Sequence, residues 1–211
     1  MDFMNKNIFK LIILIFSLMI TVCLPVAATP YMVVKVSDGD TVYLDFNSNG
    51  IPDKNERVRL NGIDAFEVHN GSHIEKQMQK FNLSLEDCLK LGYLGKKFAE
   101  KELLYKVVDA NFTAEVAFDA YDRPIMSISY DNGKSYEEEI LKAGLATVYS
   151  YSNLAKKLKK YENKKLIKKN IELSKNLSLV FYNFNSKKSY PLNSEEGFEA
   201  SNILIEAEDV K

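Results

Sequence analysis

Three short runs of the chain carry side chains able to act together on a charged ester. They are Asp38-Gly39-Asp40-Thr41, Arg59-Leu60-Asn61-Gly62-Ile63-Asp64-Ala65-Phe66-Glu67 and Asp119-Ala120-Tyr121-Asp122-Arg123. Asp40, Asp64 and Glu67 supply carboxylates, and Arg59 and Arg123 supply guanidinium groups. A phosphodiester is an anion that repels hydroxide. Its hydrolysis needs neutralised phosphate charge, a primed water and support for the five-coordinate transition state. Hard oxygen ligands such as Asp40 and Asp64 suit Ca²⁺ or Mg²⁺. A carboxylate such as Glu67 can orient or deprotonate a water, and arginine presents a planar fork to two phosphate oxygens. Tyr121, Tyr149 and Tyr151 are candidates for stacking on a base or bonding a phosphate, with plain packing as the alternative.

A second pattern is local. Residues 45–56 place Asp45, Asn47, Asn49, Ile51, Asp53 and Glu56 at the ligand positions of a twelve-residue calcium loop, with Gly50 at the sharp turn. Its flanks read as strands, so it would be a hairpin with borrowed coordination, holding a second, structural Ca²⁺. An Asn/Gly-rich hairpin without metal is the alternative.

The elements that must position these residues follow from periodicity. Apolar residues alternate through Val33–Val36, Val42–Phe46, Val58–Leu60, Phe112–Phe118 and Met126–Tyr130, which predicts five strands. Asp131-Asn132-Gly133 predicts the turn that closes the last. Ser84 and Ser135 open capping-box patterns for two helices, and apolar spacing from Leu154 to Ile171 predicts a long third. Residues 69–83 read as a polar loop beside Glu67, with His69 and His73 as solvated loop histidines and a substrate contact or extra metal ligand as the alternative. The predicted fold class is α+β: a five-stranded OB-type β-barrel with about three α-helices.

At these residues the chain resembles the thermonuclease (staphylococcal-nuclease-like) family. The resemblance runs from about Tyr31 to Phe181. It rests on Asp38 to Val42, on Arg59, Asp64 and Glu67, on Asp119 to Pro124, and on the Ala143-Gly144-Leu145-Ala146 run. It implies a closed barrel and Ca²⁺ held by Asp40, Asp64 and the backbone carbonyl of Ala65. It implies Glu67 as general base, Arg59 and Arg123 on the phosphate, and cleavage of both DNA and RNA to 3′-phosphate ends. Family members usually carry Thr-Pro where this chain has Ala65-Phe66. Proline fixes φ near −65° and phenylalanine does not, so Glu67 is expected to be held less rigidly. Pro124 stands where a glycine is usual.

The chain has 211 residues and a formal net charge of −1. A nucleic-acid binder is more often basic, so attraction to DNA must come from a local field. Eight lysines between Lys156 and Lys169 read first as a solvated helix face. Lys6 and Lys10 precede an apolar run from Leu11 to Leu24, and Val26-Ala27-Ala28 offers small residues for cleavage. Residues 1–28 therefore read as an export signal cut after Ala28, giving a secreted or cell-envelope protein. An uncleaved anchor and lipoprotein processing at Cys23 are the alternatives. Residues 29–184 form the expected domain. Residues 185–211 form a polar, acidic tail of low order. Cleavage would leave Cys88 alone, a small buried apolar residue with no disulfide partner. The expected partners are DNA and RNA, with a monomer and no obligate protein partner. Two other functions fit parts of the pattern: a barrel that binds nucleic acid or protein without cutting, and a calcium-stabilised extracellular structural protein.

Overall fold

The computed structural model describes residues 29–112 and 117–175, and the backbone of 178–183, 188–191 and 203–206. The predicted export signal lies outside the described residues. No helix among the described residues is long and apolar enough to cross a membrane.

Strands β1 (Thr29–Asp38), β2 (Thr41–Leu44), β3 (Arg57–Leu60), β5 (Val107–Asn111) and β6 (Ile125–Tyr130) form a barrel in the order β3-β2-β1-β5-β6. Parallel pairing of Arg59 with Ile125 and Leu60 with Met126 closes it. Closure removes the open edges that would otherwise recruit other chains. One end of β1 pairs with β5 and the other with β2, with register shifts at Val33/Lys35 and Val36/Asp38. Such irregularities let one strand bend to serve two neighbours. Val33, Val42, Leu44, Val58, Leu60, Val108, Met126 and Ile128 point inward and are nearly fully buried. The short strands β4 (Ile63–Ala65) and β8 (Ala146–Val148) pair with each other, and β7 (Lys134–Ser135) extends β6.

The fourth barrel strand is Val107–Asn111, earlier than the predicted Phe112–Phe118. Phe112 and Phe118 are exposed and lie against each other, with ring centroids 6.3 Å apart. Residues 113–116 of the predicted strand lie outside the described residues. The buried positions of the true strand, Val108 and Ala110, are small and few. β2 stops at Leu44, and half-exposed Phe46 packs edge-on to Tyr31 at 4.9 Å.

Helices α2 (Leu85–Leu103) and α3 (Tyr136–Lys142) begin where the caps predict. Ser84 accepts from the Asp87 N–H, and Ser135 accepts from the Glu138 N–H. Residues expected as a loop instead form α1 (Ser72–Phe81). Its Ile74, Met78 and Phe81 join Phe66, Leu83, Cys88 and Leu91 in a second core under the barrel rim. The sequence does space Ile74, Met78 and Phe81 at i, i+4 and i+7, but the capping position is Gly71, without a side-chain cap, and one inward position is the polar Gln77. The predicted long third helix is divided into α4 (Ala155–Leu158), a single tight turn at Lys159–Tyr161, and α5 (Lys164–Lys175). The break falls at Glu162, whose carboxylate accepts the Val148 N–H, and at Asn163, whose side chain accepts the Leu166 N–H. Cys88 is fully buried, and burial pushes its thiol up to about 11. Backbone strands β9 (Ser178–Asn183), β10 (Lys188–Pro191) and β11 (Ile203–Glu206) pair in a separate sheet. The acidic tail therefore carries extended segments, one of them the apolar Ile203-Leu204-Ile205.

Glu137, on α3, ties that helix to the barrel. Its carboxylate is buried and accepts from the Ile128 N–H at 2.9 Å and the Ser135 hydroxyl at 2.9 Å. Burial outweighs these bonds and raises the carboxyl from 4.5 to about 7. The folded state then holds a proton that the unfolded state releases, so stability falls as pH rises from about 4.5 to about 7. A shift of that size corresponds to on the order of 3 kcal/mol. Urea titrations at pH 4.5 and 7.5 should show the loss, and Glu137→Gln should abolish most of the difference.

Candidate active site

The Asp38-Gly39-Asp40 turn joins β1 to β2 and is fixed from beneath. The buried Tyr136 hydroxyl donates to the Gly39 carbonyl at 2.8 Å. A Cβ at Gly39 would stand 2.8 Å from the Ala65 Cβ, so only glycine lets this turn sit on β4. Asp38 accepts the Asp40 N–H at 3.0 Å. Asp40 accepts the Ala65 N–H at 2.7 Å and the Thr41 hydroxyl at 3.0 Å.

Arg59, on β3, reaches across the barrel mouth. Its guanidinium forms an ion pair with Asp40 and lies 3.5 Å from Asp64. It also donates to the Ile63 carbonyl at 3.0 Å. Burial lowers its pKa, against the opposing pull of Asp64 and Asp38. Arg123 comes from the loop before β6. Its Nε donates to Asp119 at 2.7 Å, its guanidinium lies over the Tyr121 ring at 5.5 Å, and it donates to Thr41 Oγ1 at 3.4 Å. Asp119 also accepts the Tyr121 and Arg123 N–H groups, both at 2.9 Å. Burial pushes the Asp119 carboxyl up, but these bonds and the arginine charge bring it below its ordinary value. Asp119 thus shapes the loop that presents Arg123.

Glu67 follows β4 and is about a third exposed. Burial, and then the charge of Asp38, raises its carboxyl, while His73 and Arg59 pull it down. Its Oε1 lies 3.0 Å from His73 Nδ1. His73 is therefore paired with Glu67 and is not simply solvated as expected, whereas His69 is exposed. Asp38 is likewise raised by burial, against the opposing pull of Arg59. Sequence reading gave no role to Asp38 or Asp119, although both lie within the runs that pointed to the site.

One groove of about 1080 Å³ is lined by Asp38, Asp40, Arg59, Glu67 and Arg123, together with Tyr121, Tyr149 and Tyr151. These tyrosines are exposed, so packing does not explain them. Tyr149 and Tyr151 meet edge to face at 5.7 Å. Asp64 and Ala65 lie on β4 just beneath, in register with Thr147 and Ala146.

The donor chemistry at this rim fits a hard divalent cation. Asp40 and Asp64 both present hard carboxylate oxygens to one arginine, and two further carboxylates, Asp38 and Glu67, stand nearby, both raised above their ordinary range chiefly by burial. The Ala65 carbonyl fits less well: it is buried and accepts the Gln77 side-chain amide at 2.7 Å. In the 45–56 loop the side-chain oxygens accept hydrogen bonds from within the loop. Asp45 accepts the Asn49 and Gly50 N–H groups, Glu56 accepts those of Phe46 and Asp53, and Asp53 accepts the amides of Asn47 and Asn49. Ile51 donates its N–H to Asn49. Among the described residues no group of three His, Cys, Asp or Glu side chains is set out to hold an ion.

Comparison with known proteins places this arrangement. An uncharacterized protein of Methanocaldococcus jannaschii is 36% identical over 124 residues, which is 56% of this chain and 58% of that relative. The chain therefore spans little more than half the length of that protein. The family model described as staphylococcal nuclease homologue matches residues 57–171, from the start of β3 into α5. That match takes in Arg59, Asp64, Glu67 and Arg123 and more than half of the sequence, and by it the chain belongs to the staphylococcal nuclease homologue family.

Proposed function

We propose that the chain is an exported, calcium-dependent nuclease that hydrolyses phosphodiester bonds of DNA and RNA. The observation that carries this reading is the convergence of Asp40, Arg59, Glu67 and Arg123 on one groove, with Asp64 3.5 Å from the Arg59 guanidinium. Asp40 and Asp64 would hold the calcium, which when bound would neutralise charge on the phosphate. Glu67 takes the proton from the attacking water through its carboxylate, which its raised pKa makes a better base than a free carboxylate. Arg123, held edge-on by Asp119, presents its fork to the non-bridging oxygens as charge builds on them. Arg59 bridges Asp40 and Asp64 while adding positive charge beneath the phosphate. The exposed rings of Tyr121, Tyr149 and Tyr151 offer stacking faces to bases on either side of the scissile bond.

Export rests on the sequence of residues 1–28, with cleavage after Ala28. Calcium is proposed for the rim. The 45–56 loop has the spacing for a second ion, but it already closes on its own amides. The test is incubation of the chain from Thr29 with end-labelled single-stranded DNA and with RNA, in Ca²⁺ and in EDTA. Cleavage in Ca²⁺ alone supports the proposal. Tight binding without cleavage by a folded protein would favour a barrel that only binds.

A further inference from the structure

Phenylalanine at 66 leaves the turn before Glu67 without a built-in φ restraint, yet this turn is gripped on two sides. Gln77, on α1, is 5% exposed, and its amide meets two backbone groups of the turn at once. Its Oε1 accepts the Glu67 N–H at 3.0 Å, and its Nε2 donates to the Ala65 carbonyl at 2.7 Å. A backbone N–H can only donate and a carbonyl can only accept, so just one orientation of the amide satisfies both. Phe66 itself is buried against Phe81 of the same helix, with ring centroids 5.2 Å apart. One turn before Gln77, His73 takes the Glu67 carboxylate at 3.0 Å. α1 therefore holds the backbone on both sides of residue 66, the ring of residue 66 and the carboxylate of residue 67. Gly92 of α2 closes on the Glu67 carbonyl.

We propose that Gln77 is a positioning residue. Its amide fixes the Ala65–Glu67 backbone so that the Glu67 carboxylate is aimed into the groove, the task that a proline at 66 would otherwise share. The inference rests on the nuclease reading for its kinetic consequence, but not for the clamp itself. A buried two-pronged contact of this kind holds a reacting group within a fraction of an ångström, and misplacement by about 1 Å costs on the order of a hundredfold in rate.

The test is a double-mutant cycle in the full mature chain. Gln77→Met keeps length and bulk and removes both bonds. It should lower kcat on single-stranded DNA by roughly 10- to 100-fold, with KM within about twofold. In a Glu67→Gln background the same substitution should change kcat by less than about twofold, because there is no base left to aim. A general structural role would lower kcat equally in both backgrounds, and that result overturns the proposal. Amide hydrogen exchange reads the clamp directly. The Glu67 N–H should exchange at least about tenfold faster in Gln77→Met while the Val42 and Ile128 amides of the barrel keep their protection. If Gln77→Met does not fold, Gln77→Glu, which retains the acceptor for the Glu67 N–H, carries the same kinetic cycle. If the unmutated chain cleaves nothing, the nuclease reading fails. Exchange at Glu67 then decides the clamp alone, and unchanged exchange overturns it.

Discussion

Arg123→Ala should lower kcat by two to three orders of magnitude while leaving the thermal transition within a few degrees. Removing one preorganised donor to a developing oxyanion costs roughly 10²- to 10³-fold, and Arg123 is a charged, two-pronged donor at the groove. The fold should survive because the loop does not depend on the guanidinium. Asp119 keeps its bonds from the Tyr121 and residue-123 N–H groups, and Ile125 N–H still reaches the Ala117 carbonyl at 2.8 Å. Arg123→Lys keeps the charge and loses the fork, so it should recover only part of the rate. Steady-state kinetics on single-stranded DNA with parallel melts checks both points. Near-normal turnover in Arg123→Ala would remove this residue from the mechanism.

Gly92→Ala should be destabilising and nearly inactive, against the usual helix preference for alanine of about 1 kcal/mol. A Cβ at this position would lie 2.1 Å from the Glu67 carbonyl oxygen, 2.5 Å from the Glu67 carbonyl carbon and 3.0 Å from the Phe66 oxygen. These are backbone atoms of the turn whose Glu67 N–H and Ala65 carbonyl are bonded to Gln77, so either α2 or the Glu67 turn must move. Overpacking of this kind costs about 1–3 kcal/mol. The displaced atoms belong to Glu67, so turnover should fall with stability. Gly95→Ala on the same helix is the control. Its Cβ would meet nothing closer than the Leu145 oxygen at 3.6 Å, and it should be neutral or stabilising. A Gly92→Ala chain as stable and active as Gly95→Ala would show that α2 does not press on Glu67.

What the sequence made legible was set by whether the responsible interaction is periodic. Val42 with Leu44, Val58 with Leu60, and Met126 with Ile128 alternate because each strand has one face in the barrel, and those strands were readable. Ser84 and Ser135 were readable because a capping hydroxyl must precede the helix it caps. α1 was missed although Ile74, Met78 and Phe81 recur at helical spacing, because it has no side-chain cap and turns a glutamine inward among polar residues. The fourth strand lies at Val107–Asn111, where only Val108 and Ala110 are buried, a weaker signal than the exposed aromatics Phe112 and Phe118 that follow. At the site, the charged runs do meet at one groove. The restraint on Glu67 could not be read, because it consists of a side chain 10 residues away bonding backbone groups, a contact that leaves no pattern in residue types. Ala65-Phe66 looked like lost rigidity. The structure supplies that rigidity from Gln77, Phe81 and Gly92.

The central claim is that Glu67 drives calcium-dependent cleavage at this rim. Single-turnover cleavage of a single-stranded oligonucleotide by the chain and by Glu67→Gln, at saturating Ca²⁺ and equal bound fraction, tests it most directly. Cleavage that EDTA abolishes and that Glu67→Gln slows by at least about a hundredfold, in the range of general-base loss, is the predicted result. Equal rates for the two proteins, or cleavage that persists in EDTA, would contradict it.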